Sequence, residues 1–288
     1  MVTEVKNLPL IPPKAPNLPI APVDYAQLYQ DQFLNALRLY FNQIDNFGAG
    51  LLVGPGGGAS IKFPYFAAYQ NGHTALTGNI TNNSTTPIPV TSTVDFTSSG
   101  FIIIENEIIQ YTGKTATTFT GITRGVKGTT NVAHTSGKAV SEAAAVTSTT
   151  SAAMNLDSVT VSSGITCTVP DSKVYLGYDG IYNIQFSCQL LNYTTSEDNV
   201  TVWFKKNNVD VDNSASIQQV NSKHGSNPGA AILALNFVDS FDSGDYFELY
   251  WASVTGNTVL ATFPPGTSPV HPASPSLILT VSFVSALP

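Results

Sequence analysis

The chain has 288 residues, enough for one large or two modest domains, and 42% of them are hydrophobic, an ordinary share for a globular protein. Only 11% are Asp, Glu, Lys or Arg, against roughly 25% in typical soluble domains; Ser, Thr, Asn and Gly supply the polar surface, which suits a β-rich protein packed into an assembly better than a freely diffusing enzyme. A net charge of −7 and a pI near 4.9 exclude a basic footprint for nucleic acid or an anionic membrane, and no apolar run reaches the ~18 residues that membrane insertion needs.

The first residues, MVTEVKNLPL, lack the charged start, continuous apolar core and small-residue cleavage site of a signal peptide. Residues 1–22 form a Pro-rich arm in which Asn7-Leu8-Pro9-Leu10 returns ten positions later as Asn17-Leu18-Pro19-Ile20. Proline at this density enforces extended or polyproline II backbone, which builds no core of its own. The arm reads either as a stiff disordered leader or as a docking arm. In the second reading Leu8, Pro9, Leu10, Leu18, Pro19 and Ile20 fill two similar grooves on a partner.

Residues 23–47, VDYAQLYQDQFLNALRLYFNQIDNF, are the one convincing long helix. Asp24 is the expected N-cap, Gln27 occupies the capping-box position, and Val23 and Leu28 stand where a hydrophobic staple sits. Gly48 and Gly50 are the expected stop, giving a helix of roughly 35 Å. Tyr25, Tyr29, Phe33, Tyr40 and Ile44 recur at helical spacing, and Leu28, Leu37 and Phe41 widen the apolar surface beyond one stripe, so the helix is expected to dock on partners or on copies of itself.

Residues 48–92 read as a Gly-rich hinge followed by one or two short hairpins around Asn71-Gly72; the glycines lack the Gly-Lys-Ser/Thr ending of a phosphate loop. Within 93–141, Phe101–Ile104, Glu107–Tyr111 and Thr117–Ile122 are predicted strands, and Arg124 and His134 are expected to fix turns by hydrogen bonds rather than to catalyse. This stretch resembles a small β module that recurs in bacteriophage tail-fibre and other virion proteins. The resemblance rests on the Glu107–Tyr111 strand, on FTGITRG at 119–125, on Gly128-Thr129, and on His134 followed by Gly137. Residues 142–157, small and low in complexity, read as a linker, with a short helical turn near Glu142–Val146 as the alternative.

From 158 to 288 the period is two. Tyr182, Ile184, Phe186, Cys188 and Leu190 alternate with Asn183, Gln185, Ser187 and Gln189, as a strand with one buried face requires. Val200, Val202 and Phe204 repeat the pattern, Asn207-Asn208 is a predicted tight turn, and Ala231–Val238, Tyr246–Ala252, Thr258–Phe263 and Leu277–Val284 complete a set of short strands. Cys167 and Cys188 are expected to be buried free thiols. Asp210-Val211-Asp212-Asn213 opens like a calcium loop, but Ala215 and Asn221 exclude an EF-hand, leaving only a non-standard site open. His73, His134, His224 and His271 have no zinc-like spacing, and no cofactor is expected. Tyr193, Trp203 and Trp251 are aromatic candidates for stacking on sugars, with core packing as the competing role. The loops Ser222–Gly229 and Phe263–Pro275 offer Lys223, His224, Asn227, Pro264 and His271 as distal recognition residues, or are spacers.

The order GIYNIQF (180–186), VWFKKNN (202–208) and GDYFEL (244–249) resembles the globular head of the C1q and tumour-necrosis-factor superfamily. That resemblance implies a ten-strand jelly roll assembling as a trimer, although the closing strand near Leu277–Phe283 departs from the family's usual aromatic-Gly ending. The opening, NLPLIPPKAPNLPIAPVDYAQLYQDQFLNALRLYFNQIDNF, resembles the leader of small structural proteins of marine cyanobacterial and related phages. The resemblances together imply a mainly β virion protein with a Pro-rich arm, one long α-helix, a small β-hairpin module and a C-terminal jelly-roll β-sandwich. Such a protein is a non-enzymatic homotrimer, made in the host cytoplasm, fixed to a capsid, neck or tail protein and turning its jelly roll outward, where a host glycan or outer-membrane protein is within reach. A capsid decoration protein without receptor binding and a cellular C1q-like binding protein are the alternatives. A depolymerase would need a carboxylate pair in a groove, and Glu197, Asp198, Asp239, Asp242, Asp245 and Glu248 fall at turns or strand ends.

Overall fold

The computed structural model describes residues 16–18, 20, 23–24, 26–52, 63–267 and 269–286. It divides into two compact units, the first ending at Phe63 and the second starting at Pro64. Leu8, Pro9, Leu10, Pro19 and Tyr25 lie outside the described residues, whereas Leu18 and Ile20 are exposed.

In the first unit α1 (Gln27–Leu52) is about 39 Å long and starts later than the sequence predicts. Its first backbone bond runs from the Gln30 N–H to the Ala26 carbonyl, so Ala26 takes the N-cap position, and Asp24 sits in a bend upstream. The staple does not form, because Val23 and Leu28 are both exposed. The helix also continues through Gly48 and Gly50: a glycine costs only about 1 kcal/mol inside a helix, and Ala49, Leu51 and Leu52 carry it on.

The second unit is all β. The turn Asn71-Gly72 separates β1 (Tyr65–Gln70) from β2 (His73–Ala75); then come β3 (Ile88–Pro89), β4 (Gly100–Ile104), β5 (Glu107–Tyr111), β6 (Gly113–Lys114), β7 (Thr118–Thr120), β8 (Thr123–Val126), β9 (Ala139–Ala145) and β10 (Ser151–Ala153). The rest comprises β11 (Ser158–Ser163), β12 (Ile165–Thr166), β13 (Val174–Leu176), β14 (Gly180–Asn192), β15 (Asp198–Lys206), β16 (Val209–Asp210), β17 (Ser216–Val220) and β18 (Gly229–Phe241), followed by β19 (Tyr246–Ser253), β20 (Thr258–Ala261), β21 (Gly266–Thr267), β22 (Val270–His271) and β23 (Leu277–Ser285).

Two antiparallel sheets face one another. In one the order is β11-β1-β23-β14-β18; in the other it is β12-β13-β19-β15-β17, with β10 added beside β19 and β16 beside β15. The predicted alternation holds on β14, where Tyr182, Ile184, Phe186, Cys188 and Leu190 are all buried. They join Val200, Val202, Phe204, Phe247, Leu249 and Trp251 from the other sheet in one core. Phe204 touches Phe237 and Phe241 touches Phe247 across it, with ring centroids 5.1 and 6.0 Å apart. The predicted turn at Asn207-Asn208 has both residues at positive φ, 50° and 67°, as a two-residue hairpin demands and asparagine tolerates. Both cysteines are free thiols; Cys188 is buried and Cys167 half-buried, and burial pushes each thiol up to about 12.

Residues 71–156 are inserted between β1 and β11, which nevertheless pair directly. The neck of the insertion is closed by the Asn71 N–H donating to Asp157 Oδ2 at 2.6 Å and the Asp157 N–H to the Tyr69 carbonyl at 2.9 Å. The hairpin expected around Asn71-Gly72 does not form, since β1 pairs with β11 and β23, and β2 with β9; the local pairing in this stretch is the antiparallel bridge between Leu76 and Val90. The predicted strands of the module do form, and β4, β5, β8 and β9 extend the first sheet through β20, which bonds both β14 and β9. The segment expected to be a linker is therefore strand at Ala139–Ala145 and Ser151–Ala153. Val140, Ser141, Glu142 and Ala143 are covered on both sides, and small residues are what a doubly covered strand accommodates.

Lys127, at φ 55°, ties module to sandwich. Its ammonium donates to the Val146 and Gly256 carbonyls at 2.6 and 2.8 Å, and Asp198 holds the loop carrying Gly256 through Ser253, Thr255 and Thr258. Lys127→Met leaves two carbonyls without a donor and is expected to lower stability by about 2 kcal/mol in urea unfolding; it is also expected to expose the module's necks to protease.

Candidate functional site

The residues expected to dock partners form a broad apolar surface on α1. Tyr29, Phe33, Leu37, Tyr40 and Ile44 are half-buried, and Tyr29 stacks on Phe33 with centroids 6.1 Å apart. Leu28, Leu34, Leu39 and Phe41 are exposed, so apolar area remains on more than one side of the helix. Among the described residues no helix is long and apolar enough to cross a membrane.

A second surface was not singled out by sequence reasoning. It is the outward face of the sheet β11-β1-β23-β14-β18. Cross-strand register lines up Tyr65, Ser282, Asn183 and Val238 in one row, Val161, Ala67, Thr280, Gln185 and Asn236 in the next, and Tyr69, Ile278, Ser187 and Ala234 in a third. Gln189 and Ile232 pair beyond them. No residue in these rows is charged. At its margin, among the described residues, β18 pairs as a strand only with β14, leaving the other edge of a 13-residue strand without a neighbouring strand, with Ile232 65% and Val238 63% exposed. Free edges are ordinarily guarded by lysine, proline or a bulge. Here β18 itself carries only Asp239 and its register with β14 is unbroken, while Lys206 reaches the Phe241 end of the strand and donates to the Ser240 carbonyl at 2.7 Å, leaving the stretch from Ile232 to Val238 without such a guard.

The two loops expected to carry recognition both leave the sandwich at the Asn192 end of β14, where β20 and the module join it, because Gly229 pairs with Asn192 and Leu277 with Cys188. His224 and Asn227 bond each other's backbone at 2.9 and 3.1 Å and are exposed, while the Lys223 N–H donates to the Thr194 carbonyl. In the second loop β21 and β22 make a miniature hairpin; His271 is exposed, and Pro264 is half-buried. Of the aromatic candidates, Tyr193 and Trp251 belong to buried clusters, and Trp203 alone faces outward.

Inside the module, Arg124 and His134 play the expected holding role around a fully buried carboxylate. Glu107 receives Arg124 Nε and Nη2 at 2.6 and 2.7 Å, His134 Nε2 at 2.8 Å and the Gly125 and Val132 N–H groups at 3.1 Å. Arg124 reaches on to the Thr81 and Val132 carbonyls, and His134 Nδ1 lies 2.8 Å from Glu105 Oε2. Glu105 holds a positive φ of 56° in the β4–β5 turn, a backbone that glycine prefers; its carboxylate is fixed by His134 and by Lys138 at 2.5 Å. Burial alone would raise Glu107, but Arg124, the Val132 N–H and His134 outweigh it and keep its carboxyl below the ordinary range. Every polar atom of this carboxylate is spent on structure, and it presents no free group to a substrate. Beside it, Asn82, Asn83, Thr85, Ile122, Thr123 and Asn131 line a shallow surface hollow of about 370 Å³.

A second buried carboxylate lies where module and sandwich meet. Glu142 on β9 is 3% exposed, and its Oε2 has no hydrogen-bond partner. Burial, with the charge of Asp157 added, pushes it up to about 8. Burial likewise raises Asp157 to about 6. Gly72 is required here, because a Cβ would stand 2.9 Å from the Asp95 carbonyl oxygen as well as 2.7 Å from Glu142 Oε2. Among the described residues no group of three or more His, Cys, Asp or Glu could hold a metal ion, and Asp210 of the acidic stretch is engaged by Trp203 and Lys205.

No protein-family profile matches the chain, and no curated protein matches its sequence.

Two pH effects of opposite sign follow. Glu107→Ala strands buried Arg124 and is expected to cost about 3–5 kcal/mol in urea unfolding. With Glu107 and Glu105 both held low, their contribution is present above the ordinary pKa near 4.5 and is lost as pH falls through the lowered folded values. Glu142 acts the other way. Its contribution is complete below about 4.5 and is lost as pH rises to about 8, at up to about 1.4 kcal/mol per pH unit. Thermal melts of Glu142→Gln are expected to match the parent near pH 5 and to exceed it at pH 9.

Proposed function

We propose that the chain is a non-enzymatic structural protein of a bacteriophage particle, a trimeric appendage held to a capsid, neck or tail protein by its Pro-rich arm and helix. The observation that carries this reading is the charge-free sheet face beside the edge of β18, which is bare from Ile232 to Val238. Interfaces between copies are depleted of charge at their centres, and a long bare edge strand is an aggregation hazard unless another chain covers it. In a chain that carries −7 overall, a face of Tyr, Val, Ile, Ala, Asn, Gln, Ser and Thr fits a second copy of itself better than a charged partner.

The order of strands also supports the jelly-roll reading. Five strands of one sheet, β11-β1-β23-β14-β18, face five of the other, β12-β13-β19-β15-β17, to which the short β10 and β16 are added; the ten that face each other match the number that the C1q-like resemblance implies. The module that resembles those of phage fibres is inserted after the first of them. Three copies of α1 would bury the apolar area that one copy leaves in water, and the arm ahead of it would reach the particle.

Sedimentation of the full chain is expected to give three times the 30.5 kDa chain mass. Ile232→Lys and Val238→Lys, each placing an ammonium on the proposed contact, are expected to shift the mass to 30.5 kDa with the thermal melt of each copy retained. A monomeric parent would refute the assembly, and failure of an antibody against the chain to label purified phage particles would refute the virion assignment.

A further inference from the structure

The two outward faces of the sandwich have different chemistry. Whereas the β14 sheet presents no charge, the β19 sheet presents aromatic rings set among charges. Along β19, Tyr246, Glu248 and Tyr250 alternate with the core residues Phe247, Leu249 and Trp251. Tyr246 lies opposite Tyr175 on β13, with ring centroids 5.3 Å apart, and Tyr250 lies opposite Trp203 on β15 at 5.9 Å. Tyr175 is 39% exposed and the other three are half-buried. The two ring pairs are four residues apart along β19, about 13 Å.

The polar groups around these rings are fixed. The Trp203 indole N–H donates to Asp210 Oδ1 at 2.6 Å, and Lys205 Nζ is 3.3 Å from the same carboxylate. Ser172 donates to Glu248 Oε1 at 2.5 Å. Lys205 Nζ stands 4.5 Å from the Tyr250 ring centre, and Lys173 Nζ 4.8 Å from that of Tyr246. An ammonium over a ring occupies that π face, so the open ring faces are those of Tyr175 and Trp203, over which no ammonium stands among the described residues. The positively polarised C–H groups of a sugar are the other ligand that such faces accept, and sugar hydroxyls match the exposed Asp210 carboxylate and the ammoniums alongside. Two lysines against two carboxylates leave no net charge to select an ionic ligand.

We propose that this face binds a neutral saccharide chain, with sugar rings stacked on the Tyr175–Tyr246 and Trp203–Tyr250 pairs and hydroxyls held by Asp210, Lys173 and Lys205, while Glu248, 4% exposed, lies beneath the rings. The 13 Å spacing calls for an oligosaccharide rather than a single ring. The site deepens the proposed function and rests on it in one respect: the assembly covers the opposite sheet and leaves this one free. It also differs from the loops, because no residue of Ser222–Gly229 or Phe263–Pro275 takes part.

Affinity electrophoresis tests the site with the full chain, run through native gels containing dextran, mannan, galactan or soluble glucan. Retardation by at least one of the four is expected, with affinity reduced at least tenfold in Trp203→Ala and in Tyr250→Ala. The more exposed Tyr175→Ala, whose fold is checked by its melt, is expected to weaken binding as well, whereas His224→Ala and His271→Ala are expected to leave it unchanged. No retardation in any gel, retention of a host protein instead of a saccharide, or retardation that survives all three aromatic substitutions would overturn the proposal. Sedimentation of the same samples shows separately whether the assembly is intact.

Discussion

The structure of residues 64–288 depends on the pairing of β14 along both of its edges. On one side β18 runs beside it for all 13 residues; on the other, β23 covers Ile181–Cys188 and β20 takes over at Leu190–Asn192. The hand-over from β23 to β20 carries the sheet out of the sandwich, because β20 passes its other edge to β9 and so to the module. With its backbone satisfied on both sides, β14 commits Tyr182, Ile184, Phe186, Cys188 and Leu190 to the core, and its opposite residues must face out. The charge-free surface is therefore the reverse side of the same alternation that builds the core.

Buried charge fixes what this sheet leaves undetermined. The module has its own core, yet its turns are set by Glu107, Arg124 and His134, and Lys127 joins it to the sandwich through two carbonyls. A buried ionic group specifies geometry more surely than it adds stability, since desolvation offsets most of the attraction. Glu142 is the exception within this arrangement: it is buried next to Asp157 with an oxygen left unpaired, and its deprotonation with rising pH strains the junction of module and sandwich.

Much of this was legible in the sequence. The alternation at 182–190 could be read from its one buried face and the turn at Asn207-Asn208 from its demanding backbone, while the strands at 101–111, covered on both faces, could be read from their run of β-branched isoleucines. The strand Ala139–Ala145 could not: it is covered on both faces, so SEAAA shows neither alternation nor bulk. The start of α1 was misplaced because Asp24 has the chemistry of a cap but no anchored staple beside it. Pairing of β1 with β11 and β23 was invisible, since no local turn encodes a contact across some ninety or two hundred residues. In YFELYW the aromatic face is hidden by an apolar phase on either side, and Glu248, in step with Tyr246 and Tyr250, is the signal that marks the outward one. The charge-free face could be assembled only once the register was known, as its residues come from five separate strands.

The central claim is that copies of this chain meet through the β1, β14, β18 and β23 face. A reconstruction of the protein by electron cryomicroscopy, in free form or on the particle proposed to carry it, tests it most directly. The account predicts three copies around an axis, Ile232 and Val238 within a dry contact, and the β19 sheet turned to solvent. Copies meeting through Tyr175, Tyr246 and Tyr250, or a single chain with the β18 edge open to water, would contradict it.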